Sequence, residues 1–185
     1  MKTKNMILIA IFAVLTMVGA RISIPTPIVP VTLQFLFVAL SGILLGARLG
    51  AASQALYIGM GLLGLPVFAK GGGLGYALTP TFGYLIGFIL CAYIIGKLCE
   101  NGELTIVKTF IATFVGLMVV YALGIAYMLF IKNVYIGSGN GMTFYKAISI
   151  GFLPTILLDI GWCIVISIIS PRLKKVLVNG KILSR

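Results

Sequence analysis

The sequence predicts an all-α membrane protein, a bundle of six transmembrane helices with both termini in the cytoplasm. Two observations carry that prediction. Of 185 residues, 61% are hydrophobic and only 9% are charged, against roughly half and a quarter in soluble globular domains. The apolar residues also fall into six runs, each near the roughly 20 residues that a helical membrane crossing needs. Helix is the expected form, because it satisfies its own backbone hydrogen bonds in lipid and the runs lack the alternation of a barrel strand. Six spans fill the length, so residues 1–185 are expected to form one integral membrane domain.

The first run, residues 6–20, follows Lys2 and Lys4. It has the outline of a secretory signal ending in Val18-Gly19-Ala20, but five apolar runs come after it, and an uncleaved first helix is the expectation. The second covers residues 31–47 and the third 50–65. Pro66 and the cluster Gly71, Gly72, Gly73 and Gly75 then break the helical pattern. Pro80 opens the fourth run, which reaches residue 96, and a polar stretch at 97–103 precedes the fifth, residues 104–131. That run is long enough to tilt or protrude. A second polar stretch, 132–146, holds Gly137-Ser138-Gly139-Asn140-Gly141, and the sixth run ends at Pro171 before a basic tail.

Charge sets the orientation. Lys2, Lys4, Arg48, Lys97, Lys108, Arg172, Lys174, Lys175, Lys181 and Arg185 fall on one side of such a bundle, and Arg21, Lys70, Lys132 and Lys146 on the other. The richer side is cytoplasmic by the positive-inside rule. Segments 21–30, 66–80 and 132–147, rich in Pro, Gly and polar residues, then lie outside, where the helices are irregular enough to surround a ligand. The net charge of +11 is thus a topology signal rather than a nucleic-acid face.

Composition excludes several chemistries. With no histidine there is no imidazole acid–base catalysis or metal site. Cys91, Cys99 and Cys163 form no CxxC pair and read as small buried hydrophobes. No GxxxxGK[ST] phosphate loop occurs, so the chain is not expected to hydrolyse ATP by that route. No cofactor is expected. Small residues repeat at spacing four in Gly42, Gly46, Gly50 and in Ala47, Ala51, Ala55, Gly59, with Gly83 and Gly87 as a further pair. Such ladders let helix backbones approach closely, within the bundle or against a partner.

The polar residues inside apolar runs are the site candidates. Asp159 is the only acid within a span, where an ionisable group costs several kcal/mol on insertion scales unless paired or hydrated. With Pro154 in the first turn of the sixth helix, as proline prefers, Asp159 lies about 8 Å down from the outer end. It serves either a ligand or a structural hydrogen bond to a neighbouring helix. Trp162, three residues on, is either a pocket wall or a lipid-facing ring. Lys70, beside the flexible glycines, is either a solvated loop lysine or a cation for an anionic ligand. Thr32 and Gln34 enter the second helix after Pro25-Thr26-Pro27-Ile28-Val29-Pro30, and a polar amide there needs a partner. Tyr84 sits one turn inside the fourth helix.

The blocks Pro30-Val31-Thr32-Leu33-Gln34, Gly64-Leu65-Pro66-Val67-Phe68-Ala69 and Pro80-Thr81-Phe82-Gly83-Tyr84-Leu85-Ile86-Gly87-Phe88, with the glycine loop between the last two, resemble the BioY family. These are the biotin-binding S components of energy-coupling factor (ECF) transporters, and the resemblance covers essentially the whole chain. It implies a multi-pass cell-membrane subunit, not an enzyme, that captures biotin from outside. Its implied partners are a transmembrane coupling protein and two ATPase subunits that supply the energy, besides the lipid bilayer; nucleic acid is not among them. The family typically carries Asp-x-x-Lys in the sixth helix; here Asp159 matches and Trp162 stands at the lysine position. Its alanine-rich first helix, used against the coupling protein, is matched by Ala10 and Ala13, whereas Val14 and Met17 replace small residues.

On this resemblance Asp159 accepts the ureido N–H bonds of biotin, Trp162 and Tyr84 pack on the bicyclic body, and Lys70 and Gln34 engage polar ends. Lys70 takes the carboxylate near the aqueous mouth, and the glycine loop acts as a lid. Two other readings stay open: an S component for another small vitamin, prompted by Trp162, and a membrane assembly protein without a small ligand, prompted by the small-residue ladders.

Overall fold

Apolar runs that cannot leave a backbone N–H or C=O unpaired in lipid become helices, and this chain is helical almost throughout. The computed structural model describes residues 3–24, 28–135, 142–180 and 182. Helix α1 (Thr3–Arg21) leads into two short antiparallel strands, β1 (Ser23–Ile24) and β2 (Val31–Thr32), with Ser23 opposite Thr32 and Ile24 opposite Val31. Then come α2 (Gln34–Leu45), α3 (Ala47–Leu62), a 3-10 turn (Leu74–Leu78), α4 (Phe82–Glu100) and α5 (Ile106–Phe130), which runs on into a π turn (Ile131–Tyr135). An eight-residue α6 (Phe144–Gly151) and a long α7 (Leu153–Asn179) complete the order. Pro25-Thr26-Pro27, the stretch Gly137-Ser138-Gly139-Asn140-Gly141, and the topology residues Lys2, Lys181 and Arg185 lie outside the described residues.

Among the described residues, α1, α4, α5 with its π turn, and α7 are long and apolar enough to cross a membrane. Helices α2 and α3 run only about 18 and 24 Å at 1.5 Å per residue, short of a hydrocarbon core of roughly 30 Å. The reason is local. Val31 and Thr32, at the start of the second apolar run, are drawn into β2, and Gly46 ends α2 with φ +83, in the left-handed region that glycine tolerates. Gly42, Gly46 and Gly50 are therefore not a stripe along one helix. Gly46 is a one-residue corner, and a Cβ at Gly50 would come within 2.9 Å of Gly42 Cα on the returning helix.

Helix α4 lies against α2, α3 and α5. A Cβ at Gly42 would fall 2.5 Å from the Ala92 carbonyl oxygen of α4, and one at Gly87 2.9 Å from Val120 Cα of α5. Backbones this close gain dispersion contacts that replace the missing hydrophobic drive between helices in lipid. At the C-terminal end of α4, the Glu100 carboxylate accepts from Ala47 N at 2.9 Å, which caps the positive end of α3.

A second tie is polar. Gln54 of α3, fully buried, accepts from Thr16 of α1 at 3.2 Å. It donates to Ser41 of α2 at 3.2 Å and to Ser53 at 3.1 Å. The sixth apolar run does not stop at Pro171, as composition suggests; α7 passes through it to Asn179. The Ser167 and Ser170 hydroxyls bond to the carbonyls of Ile164 and Ile166 at 2.7 and 2.5 Å. Neither bond reaches the Ser167 carbonyl, whose i+4 partner is lost at Pro171.

Candidate functional site

A cavity opens between the starts of α2 and α4, the middle of α5 and the first turns of α7, roofed by the segment that joins α3 to α4. Its walls are mostly apolar, with Phe35, Leu85, Phe88, Leu117 and Val120 lining it. Its polar groups are few: Thr32, Gln34, Tyr76, Thr81, Tyr84, Tyr121, Thr155 and Asp159. An apolar chamber with a small set of convergent polar atoms is the usual form of a small-molecule site.

Asp159 stands on the second turn of α7, and Pro154 occupies the first. Its Oδ2 accepts from the Tyr121 hydroxyl at 2.5 Å, and Tyr121 lies 2.7 Å from the Thr155 hydroxyl. Because the phenol proton points to the carboxylate, the Thr155 proton is shared between Tyr121 and the Phe152 carbonyl at 3.3 Å, and the three side chains form a chain that ends on Asp159. No hydrogen bond to Oδ1 is formed among the described residues. The carboxylate thus has one oxygen held in place and one free to accept.

The other polar groups are more committed. Tyr84 is buried, lies against Gly124 of α5 with a Cβ there only 2.5 Å from its ring, and donates to the Gly151 carbonyl at 3.1 Å. It offers the cavity a ring rather than a hydroxyl. Its ring meets Tyr121 edge-on at 6.4 Å between centroids, a geometry that aromatic pairs favour. Gln34 accepts from Thr32 at 3.0 Å and donates to Tyr57 at 2.9 Å. Tyr57 in turn donates to the Val67 carbonyl at 3.2 Å, so Gln34 keeps one N–H for a ligand and is pinned to the roof through Tyr57.

Lys70 does not reach this cavity. It is exposed, donates to the Ile28 carbonyl at 3.0 Å, and lines an adjoining chamber with Ile28, Tyr76, Thr79, Pro80, Thr81 and Lys132. The two chambers share Tyr76 and Thr81, which form the throat between them. Tyr76 packs on Phe68 at 4.5 Å between centroids, and burial pushes its hydroxyl pKa up, so it is neutral at pH 7. The roof is fastened to α5 by Tyr127, which donates to the Ala77 carbonyl at 2.5 Å, and to α1 by Arg21, which donates to the Pro66 carbonyl.

Asp159, Tyr84 and Gln34 are therefore brought together, and Lys70 and Trp162 are not. The line of buried residues on α7 runs through Thr155, Cys163, Ile166 and Ser170. Trp162 is half-buried against the core edge and absent from the cavity lining. Tyr121 and Thr155 went unread in the sequence, although Thr155 is the polar residue one turn before Asp159 and a tyrosine inside an apolar run needs a partner. Ala10 and Ala13 separate: Ala13 is fully buried in the bundle, and Ala10 is exposed.

This geometry can be set beside known proteins. The family model described as "BioY family" matches residues 1–179. The Lysinibacillus sphaericus protein named "Probable biotin transporter BioY" is 45% identical over 175 residues, 94% of this chain and 88% of that protein. The Thermotoga maritima protein named "Biotin transporter BioY" is 42% identical, covering 93% and 96% of the two chains. A crystal structure of "the S-component for biotin from an ECF-type ABC transporter" superposes with a TM-score of 0.69 at 23% identity, over 94% of this chain and 92% of that one, a likeness of fold. The chain belongs to the BioY family.

Proposed function

We propose that this protein is a membrane-embedded biotin-capturing subunit, the S component of an ECF-type transporter. The observation that carries the reading is the Asp159 carboxylate, fixed on one oxygen by Tyr121 and unengaged on the other, at the inner end of an apolar chamber in a chain of the BioY family. The ureido ring of biotin presents N–H donors to such an acceptor. A charge-assisted hydrogen bond out of water is worth about 1.5–3 kcal/mol. Tyr84 and Phe88 give the flat faces that pack on the bicyclic body, Gln34 donates its remaining N–H to a polar edge, and Lys70 meets the carboxylate at the mouth.

The inner chamber measures about 70 Å³ and the mouth chamber about 280 Å³. At roughly 10–15 Å³ per water by this measure, the inner one takes a handful of waters rather than two fused rings. Biotin therefore uses both chambers, and the throat at Tyr76 and Thr81 yields on binding. The glycine-rich roof supplies that movement.

In this reading α1 to α5 and α7 are six membrane segments, and the chamber end faces outward, since the basic residues are concentrated at the opposite side. Both termini are then cytoplasmic. Binding alone does not drive accumulation, so the subunit is not an enzyme and works with a transmembrane coupling protein and two ATPase subunits. The exposed stripe Ile7, Ala10, Ile11, Val14 and Val18 on α1 is the face offered to the coupling protein. Calorimetric titration of the purified protein with biotin, thiamine and riboflavin tests the reading. Binding of biotin alone is expected; silence toward biotin, or an equal response to all three, overturns it.

A further inference from the structure

Lys132 has no role in the reading above. It stands half-buried in the π turn that ends α5 and lines the mouth chamber together with Lys70, Thr79 and Thr81. The whole chain has three acidic residues. Asp159 lines the inner chamber. Glu100 sits at the far end of α4 beside Lys97 at 3.7 Å, roughly 27 Å along the helix from Phe82, and Glu103 follows it three residues later. Among the described residues no carboxylate lines the mouth, and the chamber lets one anion approach both ammonium-bearing side chains. Lys70 spends one N–H on Ile28 and keeps two of its three donors.

We infer that Lys70 and Lys132 together form an anion subsite at the mouth, so that the site is bipolar: an N–H-bearing head goes in against Asp159, and a free carboxylate is held at the throat by two cations. The inference rests on the biotin reading and adds to it a rule of selectivity. The free acid is the ligand, and an ester or amide of the same tail loses the outer contact. The pair also fixes the direction of entry, since the opposite orientation puts carboxylate against carboxylate.

The test uses the full chain in nanodiscs of neutral phosphatidylcholine, titrated with biotin and with biotin methyl ester. Lys132→Gln is expected to weaken biotin roughly five- to tenfold, the scale of a partly solvated ion pair with directed hydrogen bonds. Lys132→Arg is expected to restore most of that loss. The ester is expected to bind the native protein and Lys132→Gln alike, and raised salt to weaken the acid and not the ester. If Lys132→Gln changes acid and ester equally, or changes neither, the anion subsite is wrong while the biotin reading stands. If the native protein binds neither compound, the biotin reading fails and takes the subsite with it.

Discussion

Gln54 and Asp159 are both polar side chains held inside an apolar bundle, and they are partnered in opposite ways. Around Gln54 every group is spoken for. Ser41 donates onward to the Val38 carbonyl and Ser53 to the Gly50 carbonyl, each at 2.7 Å, and Thr16 is shared between the Phe12 carbonyl and Gln54. Around Asp159 the chain Thr155, Tyr121, Oδ2 ends on a carboxylate that lines the cavity and has no bond to Oδ1 among the described residues. A closed network of this kind fixes helix register, because any slip strands a polar group in hydrocarbon. An open one stores an acceptor whose partner must arrive from elsewhere.

The sharpest way to break that contrast is to neutralise the open end. Asp159→Asn keeps the shape and removes the charge, and biotin affinity is expected to fall about 100-fold, the upper range for hydrogen bonds to a charged group. Thermal unfolding in detergent should change little, because among the described residues no cation pairs with this carboxylate. Calorimetry and a melting curve on the same sample check both halves. An affinity within threefold of native would mean the acceptor lies elsewhere.

The converse variant is Gln54→Ala. It removes the hub that joins α1, α2 and α3 and leaves a small void, so stability should drop by about 2 kcal/mol, read from denaturant titration in mixed micelles. Biotin affinity of the folded fraction should stay within threefold. A large loss of affinity with unchanged stability would show that the closed network reports to the site.

Between these lies Tyr121→Phe, which removes the proton that holds Oδ2 and leaves the ring on Phe152, 4.8 Å away between centroids. Tyr121 is a positioning residue here, since it acts through Asp159. The expected loss is about tenfold in biotin affinity, and none further when Asp159 is already Asn. Titration of the double variant makes that comparison; additive losses would give Tyr121 a contact of its own.

How much of this was legible beforehand depends on how unusual each residue is for its surroundings. Asp159 declares itself, being the one acid in an apolar run, and the runs themselves mark α1, α4, α5 and α7 well. Tyr121 and Thr155 do not, because single hydroxyls are common in spans and their meeting across α5 and α7 is a tertiary fact. Spacing misled twice. Gly42, Gly46 and Gly50 look like one helical stripe until φ +83 at Gly46 turns the chain back, and Trp162 shares a turn with Asp159 but is absent from the cavity lining. Pro171 looks like a stop, yet α7 runs through it to Asn179. Lys70 is near the site in sequence pattern, yet Tyr76 and Thr81 stand between it and Asp159.

The smallest expected effect is the most discriminating about what the cavity reads. Read from the sequence, Tyr84 has a packing role against the ligand, and its hydroxyl is already engaged, donating to the Gly151 carbonyl at 3.1 Å, between α6 and α7. Tyr84→Phe keeps the ring over Gly124 and costs only that interhelical bond, worth about 0.6 kcal/mol on average within membranes. Biotin affinity should then change by less than about threefold, with a slightly lower melting temperature. A tenfold loss in affinity would mean that the hydroxyl leaves Gly151 when the throat opens and turns to the ligand. In that case the end of α6 is released on binding, and capture at Asp159 is linked to movement of the segment that runs from α5 to α7.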